Sequence, residues 1–162
     1  MLEKYVARVM RCELKAIGIL LLVMAVLALM QVVTRYVFFY SIVWLEELSR
    51  YCMILMTLIG ASVAVDKENN IAIDILPSLL RDRLNITIAP ALHAVICIFS
   101  LDAVYYAVGL TVQTVEYGQK TPAMRIPMGI VYGAMAFSYM LMAFHAFARL
   151  VLSMRKQSGA AT

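Results

Sequence analysis

RYVFFYSIVWLEELSRYC, residues 35–52, places four ionisable side chains, Arg35, Glu46, Glu47 and Arg50, between two apolar segments. Tyr36, Phe38, Phe39, Tyr40, Tyr51 and the chain's single tryptophan, Trp44, stand among them. Such a stretch is a turn, a catalytic site or a surface made for a partner, and the sequence on either side decides. Upstream, residues 16–34 carry no charge; downstream, residues 51–65 carry none. Uncharged runs of about 18 residues or more are the mark of a transmembrane helix. The shorter second run must therefore borrow length from VWLEELSR, which puts those charges at or just inside one membrane interface.

Two more runs follow. Residues 84–101 are uncharged and the pattern continues past Asp102, while residues 126–148 are uncharged and open after TPAMRIP, whose Pro122 and Pro127 suit a helix start. The basic stretch before residue 16 resembles the n-region of a signal peptide. The run behind it is longer than a usual h-region and ends in QVVTR with no small-x-small site, so an uncleaved first helix is expected. The expected fold is an all-α integral membrane protein of one domain, residues 1–162, with four transmembrane helices at about 14–38, 43–66, 83–115 and 125–153. Four spans put both termini on one side. Of the 14 Lys and Arg residues, ten lie on that side and only Arg35, Arg50, Lys120 and Arg125 lie opposite. The positive-inside rule then predicts both termini in the cytoplasm. In the loop at 66–83, the alternating Ile71, Ile73 and Ile75 of NIAIDILP suggest a short extended piece on the membrane surface.

Composition agrees with this reading. Hydrophobic residues make up 64% of the chain and charged residues 15%, too little polar surface to cover a water-soluble core. The net charge of +4 comes from residues spread over termini and loops, not from a patch, which argues against nucleic acid as a partner. Cys12, Cys52 and Cys97 lie far apart with no CxxC and no second ligand at metal spacing, so they are expected to be inert packing residues and no metal or cofactor is expected.

Ionisable groups within the membrane are functional hypotheses by default. Counting at about 1.5 Å per residue from residue 84 places Asp102 near the outer interface, level with Arg35, Glu46, Glu47 and Arg50. These five are expected to form an outer polar network that fixes helices one, two and three, or a polar face offered to another protein. Gln31, four residues before Arg35, shares its face of helix one. Trp44 and the neighbouring tyrosines form an interface belt. His93 and His145 fall at different depths, so a bis-histidine haem is not expected and each reads as a packed or hydrogen-bonded helix histidine. Helix one has no acid between Glu13 and Glu46, which argues against a proton-coupled exporter. Ser100 and Asp102, two apart on a helix, point away from one another, so no hydrolase site is expected.

Three stretches carry a family resemblance: RYVFFYSIVWLEELSRYC, then GASVAVDKENNIAIDIL at 60–76, then TPAMRIPMGIVYG at 121–133. In order, spacing and length the chain resembles the small, Q-type membrane subunit of tripartite ATP-independent periplasmic (TRAP) transporters. The resemblance implies a non-enzymatic scaffold in the bacterial inner membrane. It would brace a large M-type permease that performs sodium-coupled uptake of an organic acid, such as a C4-dicarboxylate, keto acid or sialic acid, delivered by a periplasmic binding protein. On this resemblance Gln31, Trp44, Gly60 and Asp74 are candidates for permease contact or membrane anchoring, and Lys120 and Arg125, with residues 40–47 and 118–125, for docking the binding protein. Asn70 stands where many members have histidine, which puts any role of that histidine in doubt here. Small residues on the helices, including a GxxxG at Gly129 and Gly133, allow close helix approach among lipids and protein partners. The alternative function is an independent small four-helix transporter or channel.

Overall fold

The computed structural model describes residues 2–66 and 89–160. Among these residues there are four helices, α1 Leu2–Tyr36, α2 Val43–Asp66, α3 Ala89–Glu116 and α4 Met128–Ala160. Each is long and apolar enough to cross a membrane, as the uncharged runs predict. The extended piece expected at NIAIDILP, Asp74 and the start of helix three expected near 83 lie outside the described residues.

The first helix begins at Leu2, well before the expected position near 14. Basic residues end the apolar run, but residues 2–15 contain no Gly or Pro to end the helix. Arg11 Nε even donates back to the Ala7 carbonyl at 3.2 Å. At about 1.5 Å per residue α1 is roughly 52 Å long against a hydrocarbon core of about 30 Å, so its basic first turns extend beyond the bilayer. The last helix starts at Met128 rather than 125, because Arg125 adopts φ 54° and cannot continue a right-handed helix. It runs to Ala160, past the expected end near 153.

The helices pack in the order α1 against α2, α2 against α4, and α4 against α3, and α1 also touches α4. Val65, Cys97 and Ala146 from α2, α3 and α4 make a small buried cluster, with Ile96 and Met142 packed on it. The longest contact, between α3 and α4, depends on small side chains. On α3, Ser100, Ala107 and Thr114 are buried, and the serine and threonine hydroxyls turn back to carbonyls one helical turn earlier: Ser100 to Ile96, Thr114 to Leu110. On α4, the glycines of the GxxxG lie against this surface, Gly133 near the Thr111 methyl and Gly129 near Val115 and the Thr111 carbonyl. The motif thus serves contact within the chain.

A Cβ added at Gly129 would overlap a methyl of Val115, whose branched side chain strongly prefers one χ1 rotamer in a helix. Gly129→Ala should therefore destabilise the fold by about 1–3 kcal/mol through overpacking. Gly60→Ala is the control, because no atom lies within 4 Å of its would-be Cβ. Thermal unfolding in detergent should separate the two variants, and equal midpoints would show that α3 and α4 part without penalty.

Candidate functional site

Polar side chains gather at two levels. One lies at the end of the helices where α1 joins α2 and α3 joins α4. There α3 stops in a Schellman motif: Gly118 takes φ 59°, Gln119 N–H donates to the Thr114 carbonyl at 3.0 Å and Gly118 N–H to Val115 at 3.1 Å. Residues 119–128 then close on themselves. Thr121 N–H donates to Ile126 O at 2.8 Å, Arg125 N–H to Thr121 O at 3.1 Å and Met128 N–H to Gln119 O at 2.9 Å, with a single antiparallel bridge between Lys120 and Pro127. Thr121 Oγ1 also accepts from Ile126 N–H at 3.1 Å, and the residue is only 2% exposed.

This closed loop leaves the N–H groups of Ala123 and Met124 turned toward α2, where a carboxylate meets them. Glu47 Oε2 accepts from Ala123 at 2.7 Å and from Met124 at 3.2 Å. Its Oε1 accepts the Tyr51 hydroxyl at 2.8 Å, and the Thr121 side chain bonds to it as well. Two successive backbone amides converging on one oxygen make a small anion-binding concavity. Here the protein's own carboxylate fills it, and Glu47 is buried at 9% exposure without any arginine beside it. The first and third stretches of the family resemblance are therefore one structural unit, in which LEELSRY clamps TPAMRIP.

The expected five-residue ionic network does not form. Glu46 and Glu47 are adjacent on a helix and so diverge by about 100°. Glu47 turns to the α3–α4 loop, whereas Glu46 turns to α1 and accepts from Gln31 Nε2 at 2.7 Å. Arg35 and Arg50 are exposed and bond to neither acid. Asp102 is exposed on α3, fourteen residues and hence about 21 Å before the Glu116 end, where the closed loop begins. It is not level with Glu47, because the helix continues well past it toward the loop that Glu47 holds.

Trp44, 43% exposed, lines an open groove of about 540 Å³ with Tyr40, Ile42, Val43, Pro122 and Ala123. Lys120 and Arg125 project from the clamped loop beside it and are exposed. Gly60 is half-buried on α2 with open space next to its Cα.

The second polar level was not anticipated. Glu13 of α1, Ser62 of α2 and His145 of α4 meet near the other end of the helices, with exposures of 3%, 0% and 0%. The Ser62 hydroxyl donates to Glu13 Oε1 at 2.8 Å, and a hydrogen bond of 3.0 Å joins His145 Nε2 to Glu13 Oε2. Serine, histidine and acid here do not make a hydrolytic site. The serine proton is directed to the carboxylate, so the imidazole is not placed to take it, and all three groups are closed to substrate. The arrangement pins three helices together. A signal existed in the sequence: Glu13 lies seven residues after Val6 and fourteen before Leu27, both buried, so an acid interrupts a buried apolar stripe. Its partner, 132 positions away, had no such mark.

Among the described residues no group of three or more His, Cys, Asp or Glu side chains could hold a metal ion. The sequence family described as tripartite ATP-independent periplasmic transporters, DctQ component, matches residues 24–156. No curated protein matches the chain.

Proposed function

The chain belongs to the DctQ component family of tripartite ATP-independent periplasmic transporters, and from that premise we propose that it is the small permease subunit that scaffolds a large M-type permease. The complex takes up an organic acid, a C4-dicarboxylate, keto acid or sialic acid, coupled to sodium and delivered by a periplasmic binding protein. Its place is the bacterial inner membrane, with both termini cytoplasmic and the Glu47 clamp outside. The lysine and arginine distribution supports this orientation.

The observation that carries the reading is the clamp itself. A helical connection left to itself would be mobile, yet four donors on one buried carboxylate fix residues 121–124 against α2. A fixed loop presents Lys120, Arg125 and the Trp44 groove as one rigid surface. Rigid display of cations suits recognition of an acidic patch on a soluble partner, because complementary charge speeds encounter and sets register.

Charge reversal tests it. Lys120→Glu with Arg125→Glu should lower uptake in proteoliposomes holding the large subunit and the binding protein by about ten-fold at low salt. The same variant should still co-purify with the large subunit. Undiminished uptake would refute the docking role, and uptake by this chain alone would favour the independent transporter.

A further inference from the structure

The exposed faces of α1 and α3 differ in chemistry. α1 shows Ile19, Leu22, Val26 and Leu29 outward and has no polar side chain from residue 16 to 30, a surface that lipid tails satisfy. On α3, Asp102, Tyr106, Gly109, Gln113 and Glu116 are all exposed and recur at spacings of four, three, four and three. Such spacing draws one stripe along a helix, and this one lies opposite the Ser100, Ala107 and Thr114 face that α4 covers.

Depth makes the stripe significant. Within the apolar span His93–Glu116, Asp102 is nine residues from one end and fourteen from the other, about 14 and 21 Å, so in a hydrocarbon core about 30 Å thick it lies well inside. A carboxylate facing acyl chains there is strongly disfavoured, and acids at such depth face protein and pair with a donor. Beside it, no atom stands within 4 Å of a would-be Cβ at Gly109, and an open groove of about 850 Å³ follows the helix between Leu101 and Glu116. A glycine notch in a polar stripe is the form of a surface that another helix approaches closely.

We propose that this stripe seats a transmembrane helix of the large permease subunit, with a lysine or arginine of that helix opposite Asp102. The proposal rests on the reading of the chain as the small permease subunit. A second copy of this chain fits poorly. Parallel copies in one membrane hold equal residues at equal depth, which sets Asp102 against Asp102 and Glu116 against Glu116 across an isologous contact. Lipid fits poorly too, because its cationic head groups stay at the interface while Asp102 does not.

The experiment is photo-crosslinking in intact membranes that contain both the full chain and the co-expressed large subunit. Benzoylphenylalanine is placed in turn at Tyr106, at Gln113 and, as the control on α1, at Leu22. Adducts with the large subunit, identified by mass spectrometry, should form from Tyr106 and Gln113 at least about ten-fold above Leu22. They should fall by a similar factor with Asp102→Lys and persist with Asp102→Asn, which still accepts a hydrogen bond. Lipid adducts alone, chain-to-chain adducts, equal yield from Leu22 or indifference to Asp102→Lys would overturn the proposal. If the large subunit still co-purifies in those cases, only the α3 assignment falls. If it never co-purifies with the unaltered chain, the scaffold reading falls with it.

Discussion

Replacing Glu47 with alanine should free the loop between α3 and α4 from α2. One acceptor serves Ala123 N–H, Met124 N–H, the Tyr51 hydroxyl and the Thr121 side chain, so a single truncation leaves several buried or half-buried donors without a partner. Glu47→Gln should rescue little. Its one carbonyl oxygen can serve either Tyr51 or the two amides, and its NH2 group must then point donors at donors. Glu47→Asp keeps the charge but falls one methylene short of amides that now sit at 2.7 and 3.2 Å. Hydrogen–deuterium exchange over residues 119–128 is the direct readout. Exchange at Ala123 and Met124 should accelerate by roughly ten-fold or more in Glu47→Ala, while exchange in the α1–α2 contact stays as it was. Unchanged protection at the two amides would mean that the loop holds its shape without the clamp. In that event the rigid outer surface proposed for docking would need another cause.

The helices were legible because a bilayer leaves few choices. Backbone polar groups must be satisfied within the span, so uncharged runs become helices wherever they are long enough. Their ends were less legible, for a reason that α1 makes plain: charge ends an apolar run, while only backbone breakers end a helix, and residues 2–15 contain none. The partners of the polar groups were harder still. Arg35, Arg50 and Asp102 were the natural companions to seek for Glu46 and Glu47, since charge is what a sequence displays. Glu47 in fact bonds to backbone amides 76 and 77 positions away, groups every residue but proline has and no residue type announces. Asp102 was set level with Glu47 by a count from residue 84 to an assumed outer surface, although the helix runs fourteen residues beyond it. Its exposure at mid-depth is what turns it from a member of an interfacial network into a candidate contact.

Separating Glu13 from His145 should be the most damaging single change in the chain. His145→Ala leaves a carboxylate of 3% exposure with the Ser62 hydroxyl donating to it at 2.8 Å, and removing one partner of a buried pair typically destabilises by about 3–5 kcal/mol. Glu13→Leu should be milder, because Ser62 can turn its hydroxyl to a carbonyl one turn back. Replacing both, Glu13→Leu with His145→Leu, removes the need for pairing and should recover much of the loss, since apolar residues of similar volume often match a buried pair. The double variant should therefore be more stable than the sum of the single effects by about 1–3 kcal/mol, measured by reversible unfolding in mixed micelles. Additive effects would show that the two groups are not coupled. Transport by the double variant then distinguishes a structural pin from a proton carrier. A pin that holds α1, α2 and α4 can be replaced by apolar packing with uptake retained, whereas a titrating group cannot, so abolished uptake in a stable double variant would assign the cluster a part in transport itself.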